Sequence, residues 1–443
     1  MRAEHRNLQF GEAVLAAACS AAIIVARNTL PSFASPVLAA CGAALVIDLT
    51  RRERAAPSPV RPLACVIAAL FVVGVATPPH VPNDIRSYAA DGRMVAHYHR
   101  SPYVVRPSEL APDPAVARVR DATAPYGPLF ITATAAASVI AQHSAIPERL
   151  FYQGGAALAM GVALVLLWRA RRSTAGLVLV GLHPAVATII VNGGHNDAFV
   201  GLALLAAVLA AERRHYLGAG GIIAAAMLIK VTAGLALLPL AVWALTPEGR
   251  RATARVLVPT LLLVVPSTLA IRGALGAMHA SDLGLVTRTS IWNLYPLRAP
   301  LVPSFGDGAV TQLALVAVGA AVVFVSLRRA PLTDRVVGGV AAWLVLSAYV
   351  MPWYTVWALP LAALDPRRPL ARLVALQGAL VTVAFLIPPR LLSSWFVSFP
   401  LGWIASIAFV AMFVGAVRRP PEPTALVAAG GPVSLHGPDL GAS

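Results

Sequence analysis

Apolar stretches near the ~20 residues that a helix needs to cross a bilayer recur along almost the whole chain, from residue 12 to residue 417. They lie at 12–28, 34–49, 63–79, 126–142, 150–168, 174–191, 198–211, 216–229, 232–246, 254–271, 309–327, 336–350, 353–364, 371–388 and 399–417. Several are short, so about 11 to 14 true crossings are expected. With 58% hydrophobic and only 12% charged residues, no soluble fold of this size fits. The expected class is therefore an all-α, polytopic transmembrane helical bundle. Residues 1–62 read as two N-terminal membrane helices and a cytoplasmic loop, and 63–419 as the main membrane domain. Residues 420–443, rich in Pro, Gly and Ala, read as a disordered cytoplasmic tail.

The net charge of +16 invites a nucleic-acid reading, but the placement of the arginines rules against it. They cluster in short loops: Arg51, Arg52 and Arg54; Arg169, Arg171 and Arg172; Arg213 and Arg214; Arg250, Arg251 and Arg255; Arg328, Arg329 and Arg335; Arg367, Arg368 and Arg372; Arg418 and Arg419. That is the pattern of cytoplasmic loops, and it also suits anionic membrane lipids. No basic stripe alternates with exposed aromatics, so no nucleic-acid partner is expected. Cys19, Cys41 and Cys65 all fall in apolar segments and imply neither a disulfide framework nor a metal cluster.

Counting spans from the arginine loops puts the 80–125 segment, the 193–197 stretch, Lys230, the 272–308 loop, Met351–Tyr354 and Pro388–Phe399 on the opposite, extracytoplasmic face. If 126–142 and 150–168 both cross, Arg169–Arg172 falls outside and the later count breaks. One segment between 126 and 191 must be broken, re-entrant or flat, and Pro128 and the His183-Pro184 step are the candidate break points.

Polar residues inside this apolar frame carry the functional signal. Residues 192 to 197 read Asn-Gly-Gly-His-Asn-Asp. An Asp at the centre of a membrane helix costs roughly 2.5 to 3.5 kcal/mol on insertion scales, so such groups face a cavity or a substrate path. His195 and Asp197, two apart, would point to different sides of a helix. Asp197 reads equally as a helix cap and as a site residue; His195 has no structural excuse. Lys230 is the only lysine beside 34 arginines. It suits a phosphate or carboxylate ligand or a snorkelling helix end. Arg288 and Arg390 are further cations on the outer face. Asp84, at the start of the first outer loop, reads as a helix cap or as a base whose pKa burial would raise. Tyr126, in Tyr-Gly-Pro-Leu-Phe, sits where the chain re-enters the membrane, the position of an aromatic belt. Met351-Pro352-Trp353-Tyr354-Thr355-Val356-Trp357 packs three aromatics at a helix break, as a sugar-stacking wall or an interface belt.

Taken together, Asn83-Asp84-Ile85 with Tyr88, then Ser101-Pro102-Tyr103, the 126–130 re-entry, Gly193–Asp197, Lys230 with Thr232, and Pro352-Trp353-Tyr354 resemble a known family. The set is similar to the polyprenol-phosphate-mannose-dependent mannosyltransferases of actinobacteria. These are C-type integral-membrane glycosyltransferases, related to glycosyltransferase family 87 and to the α-1,6-mannosyltransferases of mannan-core synthesis. The resemblance runs from about residue 63 to 417. It implies a first extracytoplasmic loop with short interfacial helices and a catalytic Asp, here Asp84, supported by His195. It implies inverting transfer of a sugar, most simply mannose, from a polyprenyl-phosphate donor to a lipid-linked or polysaccharide acceptor of the cell envelope. Lys230, Arg288 and Arg390 would bind the donor phosphate. Tyr88, Tyr126, Asn196, Asp197, Trp353 and Tyr354 would line the substrate site. No cofactor is expected and no metal site has ligand spacing; the lipid-linked sugar is a substrate. The competing class is a proton-coupled secondary transporter using Asp84, His195 and Asp197 as relays.

Overall fold

The computed structural model describes residues 2–26, 29–31, 33–55, 57–80, 83–110, 122–142, 147–243, 245, 247–271, 273–274, 286–287, 290–293, 295–328, 330–387 and 395–418. Among these residues every regular element is helical, so the chain is an all-α bundle. In chain order the α-helices are α1 (Arg2–Ala26), α2 (Ala34–Ala55), α3 (Val60–Ala76), α4 (Asn83–Ala96), α5 (Pro128–Gln142), α6 (Arg149–Arg171), α7 (Thr174–Gly181) and α8 (Asp197–Glu212). They continue with α9 (Tyr216–Ile229), α10 (Leu237–Trp243), α11 (Pro247–Leu269), α12 (Tyr295–Leu327), α13 (Leu332–Leu346), α14 (Thr355–Ala362), α15 (Pro369–Leu386) and α16 (Trp395–Arg418).

Six helices among the described residues are long and apolar enough to cross a bilayer, and a bent pair makes up to seven. Five shorter apolar helices, including Val60–Ala76, Pro128–Gln142 and Tyr216–Ile229, accompany them. Among the described residues, helices that meet both criteria are thus fewer than the apolar runs. The run at 353–364 is a clear departure. It is a 3-10 turn, Pro352–Tyr354, followed by the eight residues of α14, all buried. At 1.5 Å per residue such a helix cannot span lipid; it is apolar because it is packed inside protein.

The break expected between 126 and 191 falls at His183-Pro184. There α7 and the π-helical turn Ala185–Val191 meet at 49°. Pro184 has no N–H to continue the ladder, and His183 satisfies its ring by bonding Ala375 O at 3.1 Å through Nε2 and accepting from Ala185 N through Nδ1. Pro128, the other candidate, opens α5 at its first position, where a missing N–H costs nothing.

The two ends of the bundle differ in chemistry. One end gathers the arginine loops: Arg171 pairs with Glu212, Arg368 with Asp334 and Asp365, and Arg52 with Glu12 and Asp48. At the other end α3 stops before Pro78-Pro79, leaving carbonyls without helical partners. Three side chains take them. Asn192 Nδ2 donates to Gly74 O (3.1 Å), Thr77 O (3.0 Å) and Pro78 O (3.3 Å). Gln153 Nε2 donates to Gly74 O, Thr77 O and Asn192 O at 3.1, 2.9 and 2.8 Å. Arg149 reaches Val75 O and Ala76 O and holds Gln153 Oε1 at 2.6 Å. A cation there opposes the arginine-inside trend, but it meets the negative end of the α3 dipole.

Asn192→Ala should strip these carbonyls of a donor and lower stability by about 1–3 kcal/mol, read as an earlier thermal unfolding midpoint in detergent. An unchanged midpoint would show that the clasp carries no weight.

Candidate active site

The clasp around residues 74–78 fixes where the first outer loop begins. His80 N donates to Asn192 Oδ1 at 3.2 Å, and its ring bonds Ile24 O. From there α4 starts at Asn83 with Asp84 in its first turn. The same Asn192 opens the 192–197 stretch, so one residue ties both strands of the site together. Gly194 has φ +61°, a left-handed conformation open to glycine. A Cβ there would also press on Ile85 Cδ1 (2.9 Å) and Tyr152 Cβ (3.0 Å), so the bare backbone lets α4 pack directly on this turn. At Gly193 a Cβ would fall 2.6 Å from His195 Cδ2. The glycine pair therefore makes room for the His195 ring on one side and for the first loop on the other.

His195 is 1% exposed and its Nδ1 lies 3.1 Å from Asp84 Oδ2. The two groups are in reach but not aligned as a hydrogen bond, because Nδ1 has no well-directed acceptor. On its other side the ring stacks on Trp353, centroids 4.4 Å apart and planes within 17°. Burial pushes the Asp84 carboxyl upward, but the close His195 ring and the charge of Lys230 outweigh it and hold it below the usual carboxylate value. The expectation that burial would raise this group is thus reversed by its neighbours.

Asp197 points elsewhere. It stands in the first turn of α8, yet its oxygens serve side chains and not the helix end. Lys230 Nζ donates to Oδ1 (3.0 Å) and Oδ2 (3.2 Å), and Trp357 Nε1 donates to Oδ1 at 2.7 Å. The ammonium lies over the rings of Tyr354 (4.7 Å) and Trp357 (5.6 Å). The capping and snorkelling readings both give way to one caged ion pair, with Asp197 1% and Lys230 15% exposed on their side chains. Lys230 can occupy this position because α9 ends at it in an extended conformation, φ −151° and ψ 113°.

The aromatics are inside, not on a lipid-facing belt. Trp353, Tyr354 and Trp357 are 9%, 6% and 1% exposed. Tyr88, one turn beyond Asp84, packs edge-on against Tyr126 and Phe130 with centroids 5.1 and 4.8 Å apart. Tyr126 is placed by its backbone: its carbonyl accepts from Tyr103 Oη at 2.8 Å, and Gly127 N donates to Ile229 O at 2.8 Å. A side chain at Gly127 would collide with the Leu228 backbone. Thr287 and Ser290 dock beside this end, Thr287 N to Ala348 O (3.0 Å) and Ser290 Oγ to Ser347 O (2.7 Å).

Asp84, Tyr88, Tyr126, His195, Asn196, Asp197, Lys230, Trp353 and Tyr354 are thus all brought to one end of the bundle. Arg288 and Arg390 lie outside the described residues. Two residues went unassigned in the sequence reading. Trp357 holds Asp197, and Asp91 lies buried on α4, where burial pushes its carboxyl well above the usual range. The spacing of Asp84, Tyr88 and Asp91 at i, i+4 and i+7 was the available signal for the second. Among the described residues no group of three or more His, Cys, Asp or Glu is arranged to hold a metal ion.

An integral-membrane helical bundle with a carboxylate, an imidazole and aromatic walls at one end defines the class. Its chemistry follows from comparison with known families. Residues 11–247, more than half of the chain, match the MptA_B family model, described as alpha-(1->6)-mannopyranosyltransferase, N-terminal domain. The chain belongs to that family and is a mannosyltransferase of the glycosyltransferase family 87-like type. A search of curated proteins finds no significant match. The matched region contains Asp84, His195, Asp197 and Lys230, whereas Trp353, Tyr354 and Trp357 come from beyond it.

Asp197→Asn should cost about 3–5 kcal/mol by leaving a partly buried ammonium unpaired, seen as a lower unfolding midpoint. Joint replacement by Lys230→Met and Asp197→Leu should recover most of that loss. A single variant as stable as the parent would contradict the caged pair.

Proposed function

We propose that the protein transfers mannose from a polyprenyl-phosphate donor to a hydroxyl of a lipid-linked or polysaccharide acceptor. The transfer takes place at the extracytoplasmic face of the plasma membrane and inverts the anomeric centre. The observation that carries this reading is the Asp84–His195 contact inside the family-matched region. It puts a carboxylate kept ionised next to a ring that orients it, at the end of the bundle opposite the arginine loops.

The step balances as follows. Asp84 takes the proton of the acceptor hydroxyl as that oxygen bonds to the anomeric carbon. The bond from that carbon to the phosphate oxygen breaks, and the polyprenyl phosphate leaves with the electron pair. A β-linked donor gives an α-linked product. Lys230 uses its N–H groups on Asp197 in a bidentate contact, and an ammonium has three donors. One remains for the departing phosphate, with Arg288 and Arg390 as further cations for it. An α-1,6 linkage fits the family's description. Trp353 and Tyr126 supply apolar surfaces for the sugar faces.

Asp84→Asn should abolish mannose transfer from polyprenyl-phosphate mannose in membranes, with the unfolding midpoint retained. Full transfer by that variant would remove Asp84 as the base. The pH profile gives a second check. Because the Asp84 carboxyl is held low, the rate should persist into acid and fall only as pH drops through that lowered value. In His195→Asn a major lowering influence is gone, so the acid limb of the residual activity should move to higher pH. An unmoved limb would show that His195 does not act through Asp84.

A further inference from the structure

Beside the Asp84–His195 contact, three buried polar atoms lack a well-directed hydrogen-bond partner. The Asn196 side chain is 1% exposed, and neither its Nδ2 nor its Oδ1 has a hydrogen-bond partner. The Tyr88 hydroxyl, on a residue also 1% exposed, makes no well-directed bond either, although the Asn196 backbone and the Tyr126 side chain lie near it. The contrast with nearby amides is sharp. Asn192 and Gln153 each donate to three carbonyls, and both of their oxygens accept a bond. Buried amides are normally satisfied in this way.

The position of the unpaired groups is as telling as their number. Asn196 directly follows His195, and Tyr88 stands one turn from Asp84 on the same face of α4. We propose that Asn196 and Tyr88 form a pair that reads the hydroxyls of the transferred mannose. The carboxamide donates to one ring hydroxyl and accepts from its neighbour, while the phenol bonds a third. The chemistry favours a polyol over the donor phosphate. A phosphate diester offers only acceptor oxygens, which would leave Asn196 Oδ1 without a donor. Adjacent sugar hydroxyls offer a donor and an acceptor at once, matching the two ends of an amide. This inference rests on mannosyl transfer taking place at this end of the bundle.

The test uses the full-length protein in membranes, with polyprenyl-phosphate mannose and its monodeoxy analogues as donors. Tyr88→Phe and Asn196→Ala should each lower kcat/KM on the mannosyl donor by about ten- to a hundredfold. Tyr88→Phe should leave the unfolding midpoint nearly unchanged, and Asn196→Ala should lower it only by the packing that its small side chain supplies. For the matching deoxy donors, one for Tyr88→Phe and two adjacent ones for Asn196→Ala, the parent should be slowed and the variant should show no further loss. Variants that slow every donor equally, or that unfold earlier without this donor dependence, would overturn the pairing. Asp84→Asn separates the two readings. If it is inactive on all donors while the coupling is absent, only the hydroxyl-reading pair falls. If it keeps full activity while the coupling persists, the base assignment falls and the pair stands.

Discussion

The carbonyls released at the end of α3 have to be paired before anything else at this end of the molecule can take shape. In an apolar bundle an unpaired carbonyl costs more than it does beside water. Asn192 and Gln153 meet that requirement together, with Arg149 holding Gln153 in place. Because Asn192 also begins the Gly-Gly-His-Asn-Asp stretch, the same bonds that finish α3 set the distance between the first outer loop and His195. The short approach of Asp84 to the imidazole is a consequence of that clasp and of the two glycines that follow it.

Two charge systems sit side by side at the site and share no carboxylate. Asp84 faces His195, which is backed by Trp353; Asp197 faces Lys230, which is enclosed by Tyr354 and Trp357. One short segment, residues 353–357, therefore backs both. The first system leaves its carboxylate partly open, at 27% side-chain exposure, while the second buries its own at 1%. That difference separates a group able to meet an acceptor from one committed to holding a cation.

The class of fold was legible in the spacing of apolar runs, and the polar residues of the site stood out against them. Apolarity alone could not separate a helix facing lipid from one enclosed by protein, so α14 read as a span although eight residues cannot cross. The break at His183-Pro184 was readable because proline acts locally. Pairings were not. Lys230 and Asp197 are 33 residues apart and Trp357 and Asp197 are 160 apart, and no periodicity encodes such contacts. The direction of the Asp84 shift was misread for the same reason: burial could be anticipated from position, but the neighbours that reverse it come from distant segments.

The bond from Gly127 N to Ile229 O joins two parts of the pocket that would otherwise be independent. Tyr126 precedes one end of that bond and Lys230 follows the other, so the peptide contact ties the aromatic wall to the cation that Asp197 holds. With no side chain at Gly127 the two backbones lie too close to slide past each other. A shift of α9 would therefore disturb this bond, the Lys230–Asp197 pair and the packing of Tyr126 on Tyr88 together.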